Sequence, residues 1–221
     1  MHIEPGYISA AKVVAANVSA VGVVGWGLRQ QLKEMISSPW MPVKTILAAV
    51  FFSLFMQAYH MNVGPSELHF VGAMAMYLTL GFTPTLIGFA IGLLFQGLVF
   101  EPQDLYHLGV NSLSLMIPLI TVHYAMGKRY FDKSVGDRLR WINIVKLDAM
   151  YYAGVTGMVG FWLMIGEVET PFTAWLKFAA SYLILVALEP FVSYGAVRLM
   201  KAYKDNGLIA RLTTVKELKI A

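Results

Sequence analysis

Residues 7–28 read Tyr7-Ile8-Ser9-Ala10-Ala11-Lys12-Val13-Val14-Ala15-Ala16-Asn17-Val18-Ser19-Ala20-Val21-Gly22-Val23-Val24-Gly25-Trp26-Gly27-Leu28, with a single charge, Lys12, near one end. A helix rises about 1.5 Å per residue, so this run is long enough to cross a hydrocarbon core of about 30 Å. Ala11/Ala15 and Ala16/Ala20 place small residues four apart, which lets another helix approach closely. Lys12 can lay its stem along apolar surface and carry its ammonium to the interface, or pair with a carboxylate. The stretch reads as a transmembrane helix.

Composition extends that reading to the whole chain. Of 221 residues, 57% are hydrophobic and 14% charged, whereas soluble domains carry about 25% charged residues. A soluble core of this size could not hide so much apolar surface, so an integral membrane protein is expected. Six further candidate spans follow: 43–59, 70–81, 86–100, 111–126, 144–165 and 172–200. Phe82-Thr83-Pro84-Thr85 reads as a tight turn between the third and fourth, and Gly64-Pro65 as irregular backbone before the third. Glu189-Pro190 lies inside the last span, where the proline is expected to kink the helix.

Charge sets the expected orientation. With the N-terminus outside, the inner segments 29–42, 82–85, 127–143 and 201–221 hold Arg29, Lys33, Lys128, Arg129, Lys133, Arg138, Arg140, Lys201, Lys204, Arg211, Lys216 and Lys219. The outer loops 60–69, 101–110 and 166–171 contain no Lys or Arg. This one-sided bias follows the positive-inside rule and accounts for the net charge of +4 without nucleic acid. The expected fold is all-α: a polytopic bundle of about seven transmembrane helices, N-terminus outside and C-terminus cytoplasmic. Residues 1–221 form one transmembrane domain, with an N-terminal segment 1–6 and a basic tail 201–221. A multi-pass protein of a bacterial or archaeal plasma membrane is expected.

The chemistry available is narrow. There is no Cys, so disulfides and thiolate ligands are excluded. The 13 Met are spread through the spans without fixed spacing, which suits gap-filling in apolar packing better than a copper pathway. Met1-His2 is more specific. A free α-amine, the backbone nitrogen of His2 and its imidazole can close round one metal ion, and a second histidine can complete a four-nitrogen, tetragonal site of the kind Ni(II) and Cu(II) favour. No basic region precedes the first apolar run, so a cleaved signal peptide is not expected. His2 is bulky, so Met1 is expected to stay.

Several stretches together resemble the CbiM/NikM family of substrate-binding S-components of energy-coupling factor transporters for cobalt and nickel. The start, Met1-His2-Ile3-Glu4-Pro5-Gly6-Tyr7-Ile8, is similar to the family's opening. Ser66-Glu67-Leu68-His69, Leu94-Phe95-Gln96 and Leu108-Gly109-Val110-Asn111 resemble its later motifs, and Glu189 falls where it carries a Glu in a late span. The resemblance implies that the Met1 amine, the His2 amide nitrogen, the His2 imidazole and His69 ligate the metal. It implies that Gln96 and Asn111 support the site from behind. It further implies Ni2+ or Co2+ as transported substrate, a transmembrane coupling subunit and ATP-binding cassette ATPases as partners, with or without a small accessory membrane subunit. The small-residue face at Ala11, Ala15 and Ala20 is a candidate docking surface. The chain departs from the family pattern at Phe70-Val71-Gly72-Ala73 and at Pro102-Gln103-Asp104, with His107 following later. Those differences bear on which metal is held, and copper stays open.

Other readings stand beside this one. His60 and His107 are alternative ligands or interfacial residues, and His123 reads as structural. Gln96 and Asn111 are buried amides that need partners, so either could simply join helices. Asp148 and Glu189 are intramembrane carboxylates, functional candidates by default. Pairing with Lys12, Lys146 or Lys177, or capping the break at Pro190, accounts for them equally well. An enzyme is not expected. The sequence has no Gly-x-Ser-x-Gly, no His-Glu-x-x-His and no P-loop, so energy for uptake must come from partners. A metal sensor or assembly factor that binds without transporting would share every feature above.

Overall fold

The computed structural model describes residues 3, 6–63, 66–132, 134 and 137–220. Eight helices and one hairpin follow in order: α1 (Ala10–Met35), α2 (Met41–Ala58), β1 (His60–Val63), β2 (Ser66–His69), α3 (Ala73–Leu80), α4 (Phe82–Val99), α5 (Leu108–Val122), α6 (Trp141–Met164), α7 (Phe172–Ala202) and α8 (Gly207–Leu212). A 3-10 turn at Pro102–Leu105 leads into α5, and a π-helical turn at His123–Gly127 extends it.

The bundle is organised as a membrane protein. Val14, Val18 and Val21 of α1 are 61%, 67% and 72% exposed, and α7 turns Phe172, Leu183, Ile184, Leu188 and Phe191 outward. Asp148, Glu189 and Ser193 are wholly buried. In water this pattern would be costly. In lipid it is the favourable one, because outward apolar side chains meet hydrocarbon and polar groups find partners inside. Among the described residues, five helices are long and apolar enough to cross a membrane: α1, α2, α4, α5 with its continuation to Tyr130, and α7. The 24-residue α6 has the length as well, but it carries Lys146 and Asp148.

Small residues set the helix spacing. A Cβ on Gly88 of α4 would lie 2.6 Å from the Ala48 Cβ of α2, and one on Gly92 would lie 2.4 Å from the Phe52 ring. On α1, Ala16 and Ala20 are buried in the bundle while Ala11 and Ala15 face outward. The expected docking face at Ala11, Ala15 and Ala20 is therefore divided: Ala20 already packs internally.

Three local expectations change. Residues 60–69, read as an outer loop, hold a hairpin: β1 and β2 pair antiparallel, His60 opposite His69 and Val63 opposite Ser66, so the bundle is not purely helical. Gly64 and Pro65 lie outside the described residues. The third span, placed at 70–81, contains a helix of only eight residues, about 12 Å long, because the chain stays extended from β2 before α3 begins. The turn placed at 82–85 is the first turn of α4. The reversal happens one residue earlier, at Gly81, whose φ of 102° suits glycine. α7 continues as one helix through Pro190.

The connections gather at two ends. At one, Lys219 N donates to Tyr130 O, Leu139 N to Lys219 O at 2.7 Å, and Thr214 N to Thr79 O at 2.8 Å. These contacts join the tail, the basic loop after α5 and the C-terminus of α3. His123 belongs to this end, its ring stacked on Phe82 at 3.9 Å and its Nδ1 3.0 Å from the Tyr77 hydroxyl. At the other end lie the residues before α1, the β1–β2 hairpin, the 3-10 turn before α5 and the α6–α7 connection.

Candidate metal site

The chain before α1 is tied down at successive points. Ile3, 1% exposed, forms an antiparallel bridge with Ser66 at the start of β2. Its carbonyl accepts from Nδ1 of His107 at 2.8 Å. Tyr7 O accepts from Glu167 N at 2.8 Å, and Lys12 Nζ donates to Ile165 O and to Glu167 Oε1, both at 2.7 Å. Strand β2, the turn before α5 and the α6–α7 connection therefore converge on one short segment. Met1 and His2, the expected chelating pair, lie outside the described residues.

His69 ends β2 and is 4% exposed. Its Nε2 is 3.0 Å from Glu67 Oε2. A carboxylate can only accept, so Nε2 carries a proton. His107, 1% exposed, has the mirror arrangement. Its Nδ1–H is spent on the Ile3 carbonyl, and its buried Nε2 has no hydrogen-bond partner among the described residues. For His107, one ring nitrogen held by an acceptor and the other without a partner among the described residues is the usual setting of a metal-bound histidine. His60 is exposed on β1, its ring 5.9 Å from that of His69.

The two amides separate. Gln96 is 4% exposed, and both ends of its amide are used: Nε2 donates to Ser53 O at 2.9 Å and Oε1 accepts from Gln57 at 2.8 Å. It joins α4 to α2. Asn111 sits one turn after His107, 1% exposed, and its Oδ1 has no partner among the described residues. Among the described residues the Asn111 oxygen is therefore unpartnered, whereas the Gln96 oxygen is engaged by Gln57.

Sequence reasoning missed Asn17, Glu67 and Glu167. Asn17 Oδ1 accepts from Gly109 N at 2.7 Å, serving a donor in the first turn of α5. Any Cβ at Gly109 would lie within 2.5 Å of Asn17 backbone, so α1 and α5 touch here. The available signal was a lone Asn in an apolar span. Glu67 sits in the quoted Ser-Glu-Leu-His stretch, but its role depends on a strand that brings residues two apart onto one face. Glu167 lies in the connection between α6 and α7. The hydrogen bond from Lys12, followed by one from Ser9, holds its carboxyl below the ordinary glutamate range.

Outward apolar faces, inward polar groups and several spanning helices define a multi-pass membrane protein. The chain belongs to the family described as "CbiM: Cobalt uptake substrate-specific transmembrane region", which matches residues 2–206. It is also similar to a "Putative metal transport protein" of Haemophilus influenzae, at 25% identity over 211 residues, covering 93% of this chain and 96% of that protein. Family membership makes this a membrane protein of cobalt uptake.

Proposed function

We propose that this chain captures a divalent transition metal ion, Co2+ or Ni2+, as the substrate-binding membrane component of an energy-coupling factor type transporter. The Met1 amine, the His2 amide nitrogen and the His2 imidazole supply three nitrogen ligands, and His69 supplies the fourth. Asn111 and His107 stand behind or beside the ion, with His60 as an alternative ligand. One observation carries this reading: Ile3, covalently next to His2, is bound to both the His69 strand and His107. A terminal chelate succeeds only if the terminus is held, and Ile3 is where it is held.

Cobalt is favoured by the family description. Four-nitrogen ligation that includes an amide favours Ni(II) or Cu(II) on geometry, and Cu(II) would compete in vitro by the Irving–Williams order. The chain crosses the membrane seven times as one unit, hairpin end outside and basic tail inside, as its Lys and Arg distribution favours. α6 and the short α3, with its extended approach, complete the seven. A transmembrane coupling subunit and ATP-binding cassette ATPases supply the energy, since the sequence carries no P-loop.

The test is metal stoichiometry and affinity on purified protein whose chain begins at Met1, beside the same protein with two residues added ahead of Met1. One-to-one binding of Co2+ or Ni2+ that is lost on extension and in His69→Ala supports the terminal chelate. Equal binding by both proteins, or binding by neither, overturns it. Uptake with and without the coupling subunits then separates transport from binding alone.

A further inference from the structure

We infer that Glu189 is a positioning residue for the metal site: its buried carboxyl group anchors the start of α3 and so fixes the strand end that carries His69. This rests on the metal-capture reading above.

The observation begins with an unserved helix end. The first N–H groups of any α-helix lack partners within it. At α3 the residue before the helix, Gly72, has φ 63° and no side chain to cap them. The backbone amides of Gly72, Ala73 and Met74 instead face the Glu189 carboxyl from α7, with Met74 N 3.4 Å from Oε1. Successive N–H groups around a left-handed residue form a concave anion cradle, and the helix dipole adds to it. The Tyr152 hydroxyl of α6 donates to the other carboxyl oxygen.

Lys12, Lys146 and Lys177 do not compete for this role. Lys12 is committed to Ile165 and Glu167, and Lys146 and Lys177 are exposed. The polar groups around Glu189 are Asp148, Tyr151 and Tyr152 on α6, and Tyr182 and Ser193 on α7. The pairing with Lys12, Lys146 or Lys177 weighed for this residue is thus replaced by backbone amides.

The link to His69 is short. Only Phe70, Val71 and Gly72 separate it from α3, and Val71 is fully buried. Phe70 N donates to Tyr59 O, and Tyr182, two turns before Glu189 on α7, lies against the His69 backbone. At the far end of α3, Thr214 of the tail bonds the carbonyls of Thr79 and Leu78. The helix is clamped at both ends and has little freedom to absorb a change at Glu189. Releasing the carboxyl anchor frees the connection that presents the imidazole.

The test uses the full chain in nanodiscs, as wild type, Glu189→Ala, Glu189→Gln and Tyr152→Phe. Amide hydrogen exchange over residues 66–76 is read without metal, and Ni2+ affinity and its visible absorption band are read separately. Glu189→Ala is expected to raise exchange at 66–76 selectively, to weaken Ni2+ binding about 10- to 100-fold, as for other residues that support metal ligands, and to shift the band. Glu189→Gln keeps an oxygen acceptor and is expected to restore most of the affinity. Tyr152→Phe gives a milder effect of the same kind and serves if Glu189→Ala does not fold. Unchanged exchange, or exchange raised evenly through the bundle, overturns the inference, as does unchanged affinity in Glu189→Ala. If wild type binds no metal, the metal-capture reading fails while the exchange arm still decides whether Glu189 anchors α3.

Discussion

His107 Nδ1 donates to the carbonyl of Ile3 across 2.8 Å, joining the start of α5 to the chain just after the terminal pair. Both groups are buried. Removing the imidazole leaves a buried carbonyl unsatisfied, at a cost of about 1–3 kcal/mol, and loosens the segment that follows His2. His107→Ala is expected to weaken Co2+ and Ni2+ binding about 10- to 100-fold with the bundle intact. Titration calorimetry beside a thermal melt checks both parts. An affinity equal to wild type would remove His107 from the site.

Metal affinity should fall as pH is lowered from about 8 to about 6. The α-amine and imidazole have ordinary pKa values near that window, and amine, amide and imidazole must all shed protons before they ligate. Protonation therefore competes with the ion, and each step down in pH weakens binding. Competition titrations at several pH values measure the slope. A pH-independent affinity would mean that the ligands are not these nitrogens.

Glu167 makes a different pH prediction. Its folded pKa lies below the ordinary value of 4.5, through the Lys12 hydrogen bond first and the Ser9 bond second. A lowered carboxyl pKa stabilises the fold above the ordinary value, and that stability is lost as pH falls through the folded value. Glu167→Gln should therefore melt below wild type at neutral pH, and the gap should begin to close as pH drops under about 4.5 and vanish below the lowered folded value. Both side chains are substantially exposed, 39% and 54%, so the difference is small and shrinks in high salt. A gap that widens on acidification would contradict the assignment.

Gly72→Ala tests the strand-to-helix connection. The φ of 63° costs a residue with a Cβ about 1–2 kcal/mol. A Cβ there would also lie 2.3 Å from the Phe55 ring, and overpacking of this kind costs about 1–3 kcal/mol more. The expected result is a lower melting temperature, partly recovered by adding Phe55→Leu, which makes room but leaves the backbone strain. Equal melting of Gly72→Ala and wild type would show that the connection can rearrange freely.

The sequence by itself determined the membrane setting and the approximate ends of most spans. Hydrophobic run length and Lys and Arg placement are local quantities that a bilayer reads directly. It also offered Met1-His2 and His69 as candidate ligands, because a short motif such as Ser-Glu-Leu-His is visible one residue at a time. Only the tertiary structure decided what each buried polar group does. Gln96 and Asn111 look alike as amides at the ends of apolar spans. One is engaged at both ends by Ser53 and Gln57, and the oxygen of the other has no partner among the described residues. Glu189 gave no hint that its partners are backbone amides on a helix more than a hundred residues earlier. The third span shows the same limit. Apolar composition over 70–81 could not reveal that the helix begins only after a left-handed Gly72, with a carboxyl group of α7 facing its first amides. Burial obliges polar groups to find partners, but which partner is reached depends on how distant segments pack.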